Sequence, residues 1–408
     1  MRSVPAELAP PDHPDLAEAA STWRSVYLHL PFCARVCPYC DFAVVAGRDG
    51  LTDRYLAALE SEVLAEPPWY ELEAVFVGGG TPSRVPTAGL RRLLALLRGR
   101  FGLVEDAEVT LEANPEDWNA ARASALVEAG FTRVSLGVQS FDRAVLTDLG
   151  RLHTPDQAVA AVSVARAAGF ASVSLDLIYG SPAERHTSWE RTLRTAVALG
   201  PDHISAYALT VEPGTELWRG IRSGKPGPDP DEQADRWEAA RAILTEAGFV
   251  RYEVSNHARP GHVCRYNLSV WGRGEYLGFG LGAHGFRDGI RRRNVRRLDT
   301  YLERVESGIG PVQAAEALSA WEVEQERLML GLRRSAGVVA GPGGRRLLAS
   351  PAGERLQAAG VIDCPGDRIV VTRPLLTDEV VRAVLATGPE PDESGPLLPW
   401  HHAGGAPE

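Results

Sequence analysis

Three cysteines stand close together near the start of the chain, as Cys33-x3-Cys37-x2-Cys40. Three thiolates on one short loop can hold three irons of a cubane [4Fe-4S] cluster and leave the fourth iron without a protein ligand. A structural zinc site needs four closed ligands, and no fourth Cys or His stands at zinc-finger spacing. Disulfides do not suit an odd number of thiols in a chain with no sign of secretion. The spacing therefore predicts a cubane cluster with one open iron, and buried structural cysteines are the alternative.

The composition narrows the classes of function. A length of 408 residues suggests one large domain and a smaller one. The net charge of −10 argues against a nucleic-acid-binding protein, which would show a basic face. No apolar run approaches the length of a membrane span, and residues 1–22 lack the basic start and apolar core of a signal peptide. We therefore expect a cytoplasmic protein in the reducing compartment that an exposed cluster needs.

Helices and strands alternate from residue 26 to about residue 210. Three segments, 129–136, 168–175 and 247–254, each show an Ala-Gly helix stop followed by a strand pattern. The first two segments start 39 residues apart and the third 79 residues further on, with 202–209 supplying the strand in this doubled interval. One helix and one strand at this period predict a parallel sheet with right-handed crossovers. Six such units favour an α/β fold with an open, partial (β/α)6 barrel of the TIM type. A flat, doubly wound sheet is the alternative.

The sequence pattern changes near residue 310. Helices are predicted over 314–333, 345–359 and 377–386, and a short strand over 368–372. This pattern indicates a small C-terminal helical domain of winged-helix type over 310–387, which follows a core domain over 23–300. The remaining ends, 1–22 and 388–408, are rich in Pro with Ala or Gly and show no packing pattern, so we expect disordered tails.

Polar residues gather where the predicted strands end, which is the edge at which parallel barrels carry their active sites. The first strand ends at the cysteines and the second at Gly78-Gly79-Gly80-Thr81. Glu112, Gln139 and Asp176 stand at the ends of later strands with mostly apolar interiors. Because burying a charge without a partner is costly, this ring predicts a ligand site. The glycine run would let backbone groups approach a ligand, with a tight βα turn as the alternative.

The cysteine spacing resembles that of the radical S-adenosylmethionine (SAM) enzymes, and longer phrases resemble the oxygen-independent coproporphyrinogen III oxidase family among them. These phrases lie within 27–286: Tyr-Leu-His-Leu-Pro-Phe-Cys, Gly-Gly-Gly-Thr-Pro, Leu-Glu-Ala-Asn-Pro, Ser-Leu-Gly-Val-Gln-Ser-Phe, Asp-Leu-Ile-Tyr-Gly and Leu-Gly-Ala-His. The resemblance implies that the cluster is ligated by Cys33, Cys37 and Cys40 and that SAM takes the open iron. It implies SAM contacts from Tyr27, Tyr39, Gly79, Gly80, Thr81, Glu112, Gln139, Arg151, Asp176, Ala208 and His284.

One position separates two branches of this family. The oxidative decarboxylases carry another Cys two residues after the third ligand, and a longer ordered N-terminal segment. This chain has Phe42 there and an irregular segment over 1–22, which resembles the haem-chaperone, HemW-type branch. The resemblance implies a protein that binds haem and passes it to apoproteins. The alternatives are an oxidase that converts propionates of coproporphyrinogen III to vinyls, and a metal-stabilised structural protein.

The resemblance also implies partners, although the sequence leaves the haem ligand open. Expected partners are haem or a porphyrinogen, haem-acceptor apoproteins, and an electron donor such as flavodoxin or ferredoxin. The branch typically carries His-Asn-x-x-Tyr-Trp, whereas residues 266–271 read Tyr-Asn-Leu-Ser-Val-Trp. Cys264 and His262 could serve as ligands, or could be an ordinary loop Cys and His. The arginines at 291–293, 296 and 297 could pair with tetrapyrrole propionates, or form a solvated basic strand.

Overall fold

The computed structural model describes residues 21–388, so the predicted tails over 1–22 and 388–408 lie almost wholly outside the described residues. Most of the described strands join one twelve-stranded sheet. The strands in chain order are β1 (Ser25–Leu30), β2 (Phe32–Cys33), β3 (Val45–Ala46), β4 (Leu72–Gly79), β5 (Leu103–Ala113), β6 (Arg133–Gln139), β7 (Ser172–Tyr179), β8 (His203–Ala208), β9 (Val250–Arg251), β10 (Asn256–Ala258), β11 (Tyr276–Phe279), β12 (His284–Arg287), β13 (Ile290–Asn294), β14 (Val312–Ala317), β15 (Val338–Val339), β16 (Ile362–Asp363) and β17 (Arg368–Val371).

The α-helices lie between these strands, mostly one in each parallel crossover. In chain order they are α1 (Thr52–Ala65), α2 (Thr87–Arg100), α3 (Ala120–Ala129), α4 (Arg143–Asp148), α5 (Pro155–Ala168), α6 (His186–Ala198), α7 (Glu216–Arg222), α8 (Pro230–Glu246), α9 (Arg265–Trp271), α10 (Leu298–Glu306), α11 (Ala320–Gly331), α12 (Gly341–Ala349), α13 (Pro351–Ala358) and α14 (Thr377–Ala386). No helix within the described residues combines the length and apolar character needed to cross a bilayer.

Six strands form the parallel series that the sequence predicts. They stand in the order β1-β4-β5-β6-β7-β8, and each neighbouring pair is parallel. Their alternation with helices buries one continuous apolar core on the helix side of the sheet. Beyond β8 the sheet continues with the antiparallel β10, so the six units stay open on that side. The predicted α/β class and the six-unit arrangement are confirmed.

The third Ala-Gly segment, 247–254, does not add a parallel strand, and that part of the repeat prediction is wrong. Strand β9 pairs antiparallel with β10, and β10 runs antiparallel to β8. The reason is the short connection between β9 and β10, because a parallel neighbour needs a crossover of a dozen residues or more. The helix and its glycine stop, Gly248 with φ +82°, are as predicted.

Four strands extend the sheet on the other side of β1, and the sequence pattern gives no clear signal for them. Strand β11 pairs parallel with β1, and β12, β13 and β14 follow antiparallel. The predicted helix over 314–333 is therefore wrong in its first turn, which belongs to β14. Pairing with β13 overrides the helix propensity of the Ala-Ala-Glu-Ala stretch. The helix begins only after Ser319, which forms a capping box with Glu322.

The C-terminal helices pack on a small sheet of their own, in the order β15-β17-β16. They bury a second apolar cluster that includes Leu328, Leu347, Ile369 and Val380. The single helix predicted over 345–359 is instead two helices, α12 and α13. They meet at Pro351, whose ring lacks the N–H that a continuous helix would need there. Helices beside a short sheet fit a winged arrangement, while the domain boundaries stay predictions.

Candidate cluster and cofactor site

A cavity of about 730 Å³ opens at the C-terminal ends of the parallel strands. The cysteine loop forms one wall and the strand ends form the other. Parallel strands all present this end to the same edge, so residues far apart in sequence meet there. Twelve of the fourteen predicted site residues line the cavity, namely Cys33, Cys37, Tyr39, Cys40, Gly79, Gly80, Thr81, Glu112, Gln139, Arg151, Asp176 and Ala208.

Two predicted SAM contacts do not line this cavity. Tyr27 lies directly behind its wall, where its ring stacks on Phe76 and Tyr266 at centroid distances of 6.2 and 5.9 Å. His284 lies on β12, two strands beyond β1, and its side chain is exposed. The roles of these two residues in SAM binding stay predictions without support from their placement.

The three cysteines are free thiols held on a short, ordered loop. Cys33 is buried, whereas Cys37 and Cys40 are half-buried, and the Cys40 amide donates to the Cys37 carbonyl at 3.1 Å. The hydroxyl of Thr81 donates to Cys33 Sγ at 3.7 Å. Burial raises the pKa of Cys33 to about 11 and shifts the pKa of Cys40 in the same direction. A positive charge beside the loop would therefore favour the thiolate forms that metal binding requires.

Arg151 supplies that charge and joins the cysteines to the strand ends. Its guanidinium donates to Cys37 Sγ at 3.7 Å, to Asn114 Oδ1 at 2.5 Å and to the Gly137 carbonyl at 2.9 Å. Asn114 in turn donates through Nδ2 to the Thr81 hydroxyl at 3.1 Å, and Thr81 contacts Cys33. One hydrogen-bonded chain therefore runs from one cysteine to another across the cavity wall. Asn114 marks a strand end in the sequence, but its bridging position is visible only in the structure.

The donor set suits a cubane better than a single ion. Within residues 21–388, no three His, Cys, Asp or Glu side chains are arranged to hold one metal ion together. A cubane does not require such convergence, because each thiolate binds its own iron. Three thiols on one wall of a large cavity, with a guanidinium beside them, would hold a cluster with three protein ligands.

The glycine run is required by close contacts. A Cβ on Gly80 would lie 2.9 Å from Cys33 Sγ and 2.7 Å from the Pro31 carbonyl. A Cβ on Gly79, where φ is +119°, would lie 2.7 Å from the His29 ring. The backbone N–H groups are already used, since Gly79 donates to Glu112 and Gly80 donates to the Leu30 carbonyl. The Gly79 and Gly80 amides are therefore not free to donate to a ligand, and these glycines are required by the close approach of Cys33, Pro31 and His29.

Two carboxyl groups line the deeper part of the cavity. Burial and the nearby Asp176 raise the pKa of Glu112 to about 8. Burial also raises the pKa of Asp176, against hydrogen bonds that include those from Ser135 at 3.1 and 3.0 Å. Glu112 thus keeps its proton near neutral pH in the absence of a ligand. Such a pair can accept hydrogen bonds from hydroxyl or amino groups.

Arg133 is a residue of this wall that the strand-end pattern misses. Its side chain is 2% exposed and lines the cavity, and the described residues give it no carboxylate within ion-pair distance. It starts strand β6 instead of ending it. The signal that could have found it is the alternation of side chains, since Arg133, Ser135, Gly137 and Gln139 share one face of the strand.

The segment related to the His-Asn-x-x-Tyr-Trp pattern forms the inner wall of the same cavity through Tyr266 and Asn267. Cys264 does not line the cavity. It is fully buried, and its Sγ donates to Glu108 Oε1 at 3.5 Å. His262 lies 4.0 Å from Asp202, also away from the cavity lining. Both positions favour the structural alternative for these two residues.

Comparison with known proteins identifies the family. The model of the "Radical SAM superfamily" matches residues 27–196. A protein of Mycobacterium tuberculosis named "Heme chaperone HemW" is 43% identical over 397 residues, which cover 94% of this chain and 99% of that protein. This chain belongs to the HemW family of radical SAM proteins. A second HemW, from Bacillus subtilis, is 35% identical over 320 residues and matches 77% of this chain and 84% of its own length.

The fold of this HemW-family chain also matches a solved structure. That structure, described as "Coproporphyrinogen III oxidase (HemN) from Escherichia coli is a Radical SAM enzyme", is 25% identical, with a TM-score of 0.76 over 90% of this chain and 91% of that one. The predicted family and branch are confirmed, and so are the [4Fe-4S] cluster and SAM as the cofactors that a radical SAM protein carries.

Proposed function

We propose that this protein is a haem chaperone, which binds haem and delivers it to apoproteins. The observation that carries this proposal is the match, over nearly the whole length of both chains, to a relative named "Heme chaperone HemW". An acceptor apoprotein, an electron donor such as flavodoxin or ferredoxin, and a cytoplasmic location belong to the same proposal.

The cavity residues would hold the cofactors in distinct ways. Cys33, Cys37 and Cys40 would ligate the cluster, with Arg151 orienting the loop through its hydrogen bonds. Glu112 and Asp176 would accept hydrogen bonds from SAM, and the remaining predicted contacts would line its binding site, namely Tyr39, Gly79, Gly80, Thr81, Gln139 and Ala208. When bound, the cluster and SAM together supply one-electron chemistry.

The side chain of Phe42 argues against the oxidase alternative. It is 68% exposed at the mouth of the cavity, two positions after Cys40, where the resembling decarboxylases carry a Cys. An oxidase must hold its porphyrinogen in a closely defined orientation, because small misplacements near reacting atoms cost orders of magnitude in rate. We therefore expect the cavity to support haem handling without decarboxylation.

Two parallel assays test the proposal on anaerobically reconstituted full-length protein. The first supplies coproporphyrinogen III, SAM and a reductant, and measures protoporphyrinogen. The second titrates ferric haem and then adds apomyoglobin as an acceptor. We expect no vinyl product, a Soret shift on titration, and transfer of haem to the acceptor. Sustained SAM-dependent vinyl formation would overturn the chaperone assignment in favour of the oxidase. The absence of any Soret shift would contradict haem binding.

A further inference from the structure

His284 is the one accessible histidine, among the described residues, that lacks an acidic neighbour. Of the seven histidines within residues 21–388, four are buried: His29, His153, His203 and His257. His186 lies 3.4 Å from Glu190, and His262 lies 4.0 Å from Asp202. The side chain of His284 is exposed and makes no hydrogen bond or ion pair with the described part of the chain. Its imidazole is therefore uncommitted.

This histidine stands on the cavity side of the sheet. Tyr27 pairs with Gly278 across β1 and β11, and Tyr276 pairs with Phe286 across β11 and β12. Because side chains alternate along a strand, His284 and Phe286 share the face that carries Tyr27 and Tyr276. The rings of Tyr276 and Tyr266 are in edge contact at 6.0 Å, and Tyr266 lines the cavity. His284 therefore lies on the same face of the sheet as the cavity, two strands beyond β1.

Two arginines flank the imidazole, and neither has a carboxylate partner within residues 21–388. Arg293 stands directly opposite His284 in the β12–β13 pairing, and its buried Nε has no hydrogen-bond partner within the described residues. Among the described residues, Arg296 makes one hydrogen bond, from its guanidinium to the Asp41 carbonyl at 2.5 Å, which places it against the cysteine loop. By contrast, Arg291 forms ion pairs with Glu316 and Glu326. The positive charge near His284 is therefore available to an anionic ligand.

An exposed apolar surface adjoins this basic group. Phe42 follows Asp41 directly and is 68% exposed, and Val36 on the same loop is 41% exposed. Both side chains line the cavity described above, so an apolar ligand body placed there would contact them. A ligand that fits all these features has a flat apolar body, carboxylates and a centre that accepts a nitrogen lone pair. Haem has each of these.

We propose that His284 is the axial ligand of haem, with Arg293 and Arg296 pairing the propionates and Phe42 contacting the macrocycle. This inference rests on the proposed haem-chaperone function and deepens it. Arg is suited to such bidentate carboxylate pairs. Partial desolvation of the imidazole, together with Arg293 and Arg296, lowers the pKa of His284. This shift favours the neutral imidazole that iron ligation requires.

Haem titration of full-length variants tests the assignment. His284→Ala should weaken ferric haem binding at least tenfold and shift the Soret maximum, and added imidazole should restore the wild-type spectrum to His284→Gly. His186→Ala, at an exposed histidine of α6, is the matched control and should bind as the wild type does. The double variant Arg293→Gln/Arg296→Gln should weaken haem binding several-fold but keep the wild-type Soret maximum. It should bind haem dimethyl ester, which lacks free carboxylates, with the same affinity as the wild type.

The outcomes separate this inference from the proposed function. If the wild-type protein binds no haem, the chaperone function itself fails. If the wild type binds haem and His284→Ala keeps the same Soret maximum and affinity, the chaperone function stands and the His284 assignment is overturned. Circular dichroism of each variant shows whether the fold is intact, and the imidazole rescue of His284→Gly excludes a purely structural loss.

Discussion

The guanidinium of Arg151 contacts the thiol of Cys37 at 3.7 Å and is fixed in that position by Asn114. This relationship links the third parallel strand, through the residue that follows it, to the cluster loop. It gives the loop a cation and a rigid attachment, which are two separate contributions. Each can be tested by substitution.

Replacing Arg151 should impair cluster retention. Arg151→Gln removes the positive charge beside Cys37, and the lost buried hydrogen bonds should lower the free energy of unfolding by about 1–3 kcal/mol. We expect fewer irons per chain after reconstitution and a shorter cluster lifetime in air, measured by iron assay and absorbance. Arg143→Gln, at an exposed site on α4, is the control. Equal iron content and lifetime in Arg151→Gln would show that the contact is unimportant.

Each cysteine of the loop should be essential for the cluster. We expect the wild type to hold about four irons and to show an EPR signal on reduction that changes when SAM is added. Cys33→Ser, Cys37→Ser and Cys40→Ser should each lose this signal. Cys364→Ser, outside the cavity, should keep it. Stoichiometric zinc without iron in the reconstituted wild type would contradict the cluster.

Asp176 should contribute to SAM affinity without affecting the cluster. Asp176→Ala removes a carboxylate that faces the cavity, and the loss of its hydrogen bonds should cost about 1–3 kcal/mol of binding free energy. Anaerobic calorimetry measures the affinity, and the iron assay checks the cluster. Asp235→Asn, on the exposed surface of α8, is the control. SAM affinity unchanged in Asp176→Ala would make this carboxylate structural.

Glu112 should make stability fall as pH rises. Its pKa moves from 4.5 to about 8 in the folded protein, so between these values the native state keeps a proton that the unfolded state has lost. The native state is then progressively disfavoured as pH increases from about 4.5 to 8. The effect is at most about 1.4 kcal/mol for each pH unit.

Urea unfolding of cluster-free protein at pH 5 and pH 8 measures this dependence. Glu112→Gln should lose less stability over that interval than the wild type. Glu105→Gln, at an exposed residue of β5, should behave as the wild type. Parallel pH profiles for the wild type and Glu112→Gln would refute the assigned shift.

Gly80 should not tolerate a side chain. The Cβ of Gly80→Ala would press on Cys33 Sγ and the Pro31 backbone, and such overpacking costs about 1–3 kcal/mol. We expect lower thermal stability and poor cluster loading. Gly99→Ala, in the last turn of helix α2, is the matched control, because a Cβ there meets nothing within 4 Å. Normal cluster loading in Gly80→Ala would show that the loop can move aside.

The parallel core and the meeting of the polar strand ends at one cavity could be predicted because both follow from local patterns. The family resemblance alone implies the contacts of Tyr39, Arg151 and Ala208. Helix stops and apolar strands fix the order of the elements, and parallel strands bring Glu112, Gln139 and Asp176 to one edge whatever their distance in sequence. Three features could not be predicted in this way. Arg133 reaches the cavity from a strand start, β14 is a strand only because β13 pairs with it, and Asn114 bridges partners from separate elements.

The pairing of β1 with β11 has a consequence for how the protein is made. Strand β1 leads into the cysteine loop, yet one of its two neighbours begins at Tyr276. During synthesis the first strand therefore has an open edge until most of the chain has left the ribosome. Contacts between such distant segments form late, and an unpaired edge invites wrong pairing in the meantime. The cysteine loop follows β1, which is paired on both sides only once β11 has been made. We therefore expect the cluster to be inserted after translation and not during it.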